Sequence, residues 1–524
     1  MLQTALIFQS HMILQRGKPI AVWGTARPGA EVRVTLQGQA QITTAKSDGA
    51  WRAICGPFAA STAETMTVSA DGETLTFTDV QIGEVWLAGG QSNMEFHMYF
   101  DLDAPAEKAG AHEDIRFFDY PEVSYPGQID EAPFREQYGF WRKATPEELD
   151  RFSAVGYYFA REIQEKLGVP VGIVGCNWGG TPASAWMDRE SIAAGGGQPY
   201  LDEYDEAVKG LDLEKYDADF RANPTSFRVD LLGDPVSNAL MLSSTFEEAM
   251  GKLRDMGIEF NFDPAAAMPQ IGPKYPQRPA GLYESMLLPL VPYGVRGFLW
   301  YQGETDGDMH PECYATLFPA MIACWRRLWG EELPFLFVQL APFTKWLEIT
   351  SSSYHIIRAA QQHTADTVPG AYMAVTSDAG QEFDIHPKRK KPVGHRLALQ
   401  ALRHVYGEET LLTEAPKLEG IEVAEGKVTL TFANAGAGLT FTGQTPYGES
   451  LAEDRFSGLT LSQNGQALNA AQLRAEAYGD QVILTSPEIR AGAPTEAYIG
   501  KADWYAVNLY NSAGIPARPG KIEG

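Results

Sequence analysis

Four short stretches of this 524-residue chain carry side chains that could do chemistry together. Ser92 lies two residues beyond a double glycine in AGGQSNMEF, and a glycine pair, Gly179 and Gly180, stands in NWGGTPASAW. Gln302, Glu304 and Asp306 cluster in WYQGETD, and Asp384 precedes His386 in SDAGQEFDIHP. A serine hydroxyl is a poor nucleophile unless a base takes its proton and a carboxylate orients that base. Ser92, His386 and Asp384 would meet this requirement. Backbone N–H groups at a helix start could hold an oxyanion, and Gly89 and Gly90 let the chain turn sharply beside a substrate. The pattern is not the GxSxG elbow of α/β-hydrolases, because position 94 is Met94.

Taken singly, each piece has a structural reading. Ser92 could be a helix N-cap, Gly179 and Gly180 an ordinary turn, and His386 a loop histidine before Pro387. Lys388 to Lys391 read most simply as the solvated start of a helix. Chemistry is favoured because the pieces follow successive strand-like runs, and in open α/β sheets ligands sit beyond the carboxyl ends of the strands.

Those runs are EVWLAGG (84–90), VGIVGCN (171–177), GFLWYQG (297–303), PFLFVQLA (334–341) and AYMAVTS (371–377), with DIRFFDY (114–120) beside them. Helical patterns alternate with them near 152–168, 312–329, 353–366 and 393–407. In the last of these Val393, Leu397, Ala401 and Val405 recur every fourth residue, and Gly407 supplies the stop. Such alternation predicts a parallel sheet covered by helices on both faces. Short alternating runs split by turn residues precede it, among them EVRVTL (31–36), TMTVSA (65–70) and ETLTFTDV (73–80). They predict a small β-sandwich over 1–82. Strand texture returns in KVTLTFAN (427–434), GLTFTG (438–443), QVILTS (481–486) and AVNLY (506–510), which predicts a C-terminal β domain over 409–524. The α/β domain then spans 83–408, with an insertion at about 190–280 that is acidic and helix-leaning at first and proline-rich later.

Composition narrows the function. With 42 Lys and Arg against 67 Asp and Glu, the net charge is −25, which argues against nucleic acid or an anionic membrane as partner. No apolar run approaches the ~20 residues of a membrane helix. The opening MLQTALIFQSHMILQRGKPI lacks a charged segment ahead of an apolar core and does not read as a signal peptide, so a cytoplasmic setting is expected. Cys55, Cys176, Cys313 and Cys324 are far from any CxxC spacing, which fits a reduced compartment and speaks against a disulfide framework or a zinc site.

GEVWLAGGQSNMEF, GCNWGGTPASAWM, GLYESMLLPLVPYGVRGFLWYQGETD and FDIHPKRKKPVGHRLA, in this order, resemble the conserved blocks of the sialate O-acetylesterase family within the SGNH hydrolase superfamily. The opening LIFQSHMILQRGKPIAVWGTARPG and the closing NLYNSAGIPARP are similar to that family's flanking β regions. The resemblance implies a three-layer α/β/α SGNH-type core flanked by N- and C-terminal β-sandwich-like domains. It implies Ser92 as nucleophile, His386 as general base and Asp384 as its acidic partner. The Ser92 N–H, a Gly179 N–H (Gly180 being the alternative) and the Gln302 side chain would form the oxyanion hole. Glu304, Asp306 and Glu95 would position the loops around them, a structural salt bridge being the alternative for Glu304 and Glu95. Two departures stand out: the superfamily's usual acid, three residues before the histidine, is replaced by Phe383, and the third block ends in Asp306 where many relatives have Asn. Asp378 or a main-chain carbonyl is the alternative partner for the imidazole.

The implied activity is removal of O-acetyl groups from sugars, either sialic acids or acetylated plant oligosaccharides, without metal or cofactor. The implied partner is an acetylated sugar, and a homo-oligomer is compatible. Arg278, Arg296 and Arg358 are candidates for a sugar carboxylate; Trp178, Trp186, Trp300 and Tyr301 suit sugar stacking or a buried core. The rival reading is a non-catalytic carbohydrate-binding protein on a degenerate hydrolase core. A general lipase or thioesterase lacks support, because no long apolar lid segment is present.

Overall fold

The computed structural model describes residues 1–110, 112–131, 138–222, 231–259, 270–347 and 349–524. The chain has a mixed α/β fold with several sheets and divides into two compact units. One comprises residues 1–242, 250–302 and 316–335, and the other 243–249, 303–315 and 336–524.

In the first unit, Ile20–Thr25 pairs antiparallel with Gln3–Thr4 and Ala50–Cys55. Glu31–Leu36 lies between Gln39–Thr44 and Ser61–Ala70. Side chains on Glu31–Leu36 alternate, with Val32, Val34 and Leu36 buried, as expected for a sheet with one dry face. The runs expected at 73–80 and 84–90 are one 18-residue strand, Glu73–Gly90. Its first part pairs antiparallel with Ser61–Ala70. Its second part lies parallel to Val171–Asn177 on one side and to Gly297–Tyr301 on the other. Burial changes with the partners: partial to Asp79, then complete from Val80 to Gly90, where neighbouring strands and packed side chains exclude water. His112–Asp119 continues the sheet beyond Val171–Asn177, with Trp141–Ala144 antiparallel at its edge.

The helix Ala154–Leu167 is bounded by its own residues. Ser153 Oγ accepts the Gly156 N–H at 3.1 Å, and Gly168 ends the helix at φ 62°. Its alanines and glycine allow a close approach, such that a Cβ on Gly156 would lie 3.1 Å from Ile173. On Gly297–Tyr301, Phe298 and Trp300 pack edge-on against Trp325 at 5.2 and 5.5 Å, and Trp186 meets Trp300 at 6.3 Å. The expected insertion begins with the helices Arg189–Ala194, Gln198–Ala207 and Leu213–Ala222. Its portion from 260 to 269 lies outside the described residues.

The second unit carries the strand Phe335–Val338 from its second residue onward, the strand Ala371–Ala374 and the helices Tyr354–Thr367 and Lys391–His404. Its C-terminal part has two four-stranded sheets. One runs through Lys417–Ala424, Lys427–Ala433, Gln481–Thr485 and Arg474–Tyr478, the other through Gln466–Ala467, Leu459–Gln463, Thr495–Ile499 and Gly520–Glu523. Val428, Leu430 and Val482 from the first share one apolar cluster with Leu461, Ala497 and Ile499 from the second. The runs expected at 438–443 and 506–510 shrink to Thr440–Phe441 and Leu509–Tyr510, which pair with each other.

Strands expected at 297–303, 334–341 and 371–377 end at Tyr301, Val338 and Ala374. The residues trimmed off lie at the carboxyl ends, where the chain leaves the ladder to form loops. Among them, Gly303 adopts φ 144°, and a Cβ there would stand 2.7 Å from Ile357.

Gly90 is the tightest of these exits on the Ser92 side. Its φ is 138°, and a Cβ would lie 2.2 Å from the Tyr301 carbonyl oxygen. Gly90→Ala is expected to lower stability by about 2–4 kcal/mol, since it adds backbone strain to a clash that cannot relax along a side chain. A variant that melts at the wild-type temperature would contradict this account of the strand end.

Candidate active site

Three adjacent parallel strands of the first unit end together, and hydrogen bonds stitch their exits. The Gln91 N–H donates to the Tyr301 carbonyl at 3.1 Å, the Trp178 N–H to the Gly90 carbonyl at 3.1 Å, and Asn177 Nδ2 to the Ala88 carbonyl at 3.2 Å. Ser92 opens the short helix Ser92–Glu95 directly after this junction. It is half-buried, while Gln91, Asn93, Met94 and Glu95 around it are buried.

Gly179 is the glycine of the pair that meets this serine. A Cβ there would lie 3.1 Å from Ser92 Cβ and 3.3 Å from Glu95 Oε2. The Gly179 N–H donates to Glu95 Oε2 at 2.9 Å. Gly180 is exposed and takes the left-handed φ of 72° that shapes the turn. Gln302, fully buried, follows Tyr301 and donates from Nε2 to the Thr181 carbonyl at 3.2 Å. The first unit therefore gathers Ser92, Gly179, Glu95 and Gln302 on one set of strand ends.

The second unit holds the other candidates. His386 is buried, with the Trp346 ring edge-on at 4.8 Å. Burial, reinforced by the positive charges of Lys388 and Lys390, holds its imidazole well below the usual histidine range. Asp384 engages His386 through the main chain: Oδ1 accepts the His386 N–H at 2.9 Å and Oδ2 pairs with the Lys388 ammonium at 3.0 Å. Burial raises the Asp384 carboxyl, with Lys388 and the His386 N–H opposing that rise. Asp378, the alternative acid, is committed elsewhere. Arg396 grips it with two hydrogen bonds of 2.6 and 2.7 Å, and the Tyr510 hydroxyl donates to it at 3.1 Å. Phe383, at the superfamily's usual acid position, is 54% exposed. Glu304 and Asp306 are buried on the short helix Glu304–Met309.

Lys388 to Lys391 do not form a solvated helix start. Lys390 is fully buried, Lys388 is ion-paired, and the helix begins at Lys391. Trp346 carries no signal in the sequence. It sits on the small hairpin of Lys345–Trp346 and Ile349–Thr350, and its indole N–H donates to the Ser243 carbonyl at 2.8 Å. No motif surrounds it, so nothing local signals its contact with His386. Among the described residues, no group of three or more His, Cys, Asp and Glu side chains is arranged to hold a metal ion. Among them, too, no helix is long and apolar enough to cross a membrane.

Residues 276–403 match the family model for carbohydrate esterases described as sialic acid-specific acetylesterase. The chain is 28% identical over 469 residues to the sialate O-acetylesterase of Mus musculus, which covers 82% of this chain and 78% of that one. Against the sialate O-acetylesterase of Homo sapiens it is 26% identical over 470 residues, covering 82% and 76%. A solved structure, a carbohydrate acetylesterase from Xanthomonas citri, is similar over 99% of both chains, at 30% identity and a TM-score of 0.73. The chain belongs to the sialic acid-specific acetylesterase family of carbohydrate esterases.

The esterase is a carboxylic ester hydrolase. Trp186, Trp300 and Tyr301 of the esterase are core residues with almost no exposure, and Trp178 alone of the four aromatic candidates reaches 9%. The three arginine candidates are engaged within the esterase. Arg278 pairs with Glu284 at 2.5 Å, and Arg296 takes Glu84 in two contacts of 2.7 and 3.0 Å. Arg358 donates to the Ala502 and Asp503 carbonyls.

The Glu95–Gly179 hydrogen bond ties the Ser92 helix to the second loop. Glu95→Ala should cost the esterase about 1 kcal/mol in urea unfolding, because a half-buried N–H loses its acceptor. Glu95→Gln, which keeps an acceptor oxygen, should cost less. Equal stability of wild type and Glu95→Ala would show that the bond carries no weight.

Proposed function

We propose that the esterase removes O-acetyl groups from sugars through an acetyl-Ser92 intermediate. The observation that carries this reading is the convergence of a half-buried serine, a glycine pressed against it and a buried glutamine amide on adjacent strand ends of one unit. The architecture in this reading is an SGNH-type three-layer core with β-sandwich-like flanks, divided at about 82 and 408.

His386 takes the Ser92 proton, and Ser92 Oγ attacks the acetyl carbonyl carbon. The negative charge on the carbonyl oxygen is held by the Ser92 N–H and the Gln302 amide, placed before the reaction begins. The Gly179 N–H joins them as the oxyanion displaces the Glu95 carboxylate. The C–O bond to the sugar then breaks, and the sugar oxygen leaves with the proton from His386. Water, deprotonated by His386, attacks the acetyl-enzyme and releases acetate and free Ser92. Asp384 fixes the His386 main chain, and Glu304 and Asp306 shape the loop after Gln302. The substrate class is an O-acetylated sialic acid or an acetylated plant oligosaccharide. The net charge of −25 does nothing to attract an acidic sugar, which keeps both in view.

Acetate release from p-nitrophenyl acetate, an acetylated sialic acid and an acetylated xylo-oligosaccharide tests the reading. Ser92→Ala should lose ~10³-fold or more on every ester that wild type hydrolyses. Undiminished turnover by a folded Ser92→Ala protein would sink the proposed nucleophile. The sugar that wild type turns over with the higher kcat/KM identifies the substrate class.

The pH profile follows from the environment of His386. Because its imidazole gives up its proton well below 6.5, the base form persists as the medium is acidified past that value. The plateau of kcat/KM should therefore extend below pH 6.5, and the acid limb should lie beneath it. An acid limb centred at or above 6.5 would be inconsistent with His386, in this setting, being the base.

A further inference from the structure

The loop that carries His386 closes on its own polar groups. The Lys388 N–H donates to Gln381 Oε1 at 3.0 Å, and Gln381 and Asp384 form an isolated antiparallel bridge. Within that closure the Asp384 carboxylate is divided between the His386 N–H and the Lys388 ammonium, at 2.9 and 3.0 Å. The two side chains of the ion pair are only 3% and 13% exposed. A carboxylate so deeply buried is costly unless a partner charge compensates it. Lys388 is that partner, and it lies four residues along, on the far side of the histidine.

The surroundings of the imidazole are similarly defined within this unit. The charged groups that act on it from its own loop are Lys388 and Lys390, Asp384 meets only the His386 main chain, and the hairpin packed against the ring contributes the uncharged Trp346. A shift in the Asp384 rotamer would release the main-chain N–H of His386 and change where the ring meets Trp346. The length of the ammonium stem and its charge are thus linked to the ring's position.

We propose that Lys388 is a positioning residue of the esterase reaction, whose ammonium holds Asp384 in the rotamer that fixes the His386 main chain. The inference rests on the reading of His386 as general base. It assigns the run PKRKK a part in catalysis that charge patterning alone does not disclose.

The test uses the full chain, with p-nitrophenyl acetate as substrate. Lys388→Met should lower kcat roughly tenfold or more at little change in KM, since the base is displaced while binding is untouched. Its acid limb should move to higher pH, because a positive charge is lost and a carboxylate is left unbalanced near the ring. Lys388→Arg, which restores the charge and a donor, should recover most of the kcat and the wild-type limb. Asp384→Asn serves as a second variant should Lys388→Met fail to fold. It keeps an acceptor for the His386 N–H but leaves Lys388 unbalanced, so its limb should move to lower pH. Folded Lys388→Met with wild-type kcat and limb overturns the proposal, even if it melts earlier. A limb in Asp384→Asn that stays put or rises does the same. His386→Ala separates the two levels: if it retains wild-type kcat, the general-base reading itself fails. If it is inactive while Lys388→Met behaves as wild type, only the role of Lys388 fails.

Discussion

Backbone packed against backbone at Gly90 underlies the arrangement around Ser92. With 2.2 Å between a notional Cβ and the Tyr301 oxygen, no side chain can stand there. That absence lets the Gln91 N–H reach the same carbonyl and turns the chain into the Ser92–Glu95 helix. The neighbouring exit obeys a similar constraint, since Gly179 must pass within contact distance of Ser92 Cβ. Small residues at two strand ends therefore bring the Ser92 side chain and backbone amides into one place, and Glu95 ties them with a single carboxylate.

The second unit reaches rigidity by another route, through buried charge. Asp378 is gripped by Arg396 and Tyr510, and Asp384 is shared between a main-chain N–H and Lys388. Such pairs contribute little net stability, because desolvation offsets much of their attraction. Breaking one leaves an uncompensated charge, so they specify geometry more strongly than they add stability. The neutral, buried imidazole of His386 beside two lysines follows from the same crowding.

Much of this was legible in the residues. Val171–Asn177 is legible to the residue, because a strand covered on both faces needs an unbroken apolar run. The sequence texture changes at Gly83 and divides Glu73–Gly90 into two strand-like runs; in the fold the change marks new neighbours and not a break in the chain. Ser92, Gly179 and Gln302 could be found from motifs that follow strands. Trp346 and the partnership of Asp384 with Lys388 could not. The first depends on a tertiary contact spanning forty positions, and the second hides in a run of lysines whose usual place is the solvent. Trp300 and Tyr301 suited either a sugar platform or a core, and only packing against Trp325 and Trp186 decides for the core at Trp300.

The central claim is that Ser92 becomes covalently acetylated during turnover, and a trapping reagent addresses it most directly. The esterase would be treated with a dialkyl p-nitrophenyl phosphate, which phosphorylates an activated serine, and its peptides would be mapped by mass spectrometry alongside residual activity. The account predicts one adduct, on the peptide containing Ser92, appearing in step with loss of esterase activity and much more slowly in His386→Ala. Inactivation with the adduct on another serine, or full activity with Ser92 labelled, would contradict it.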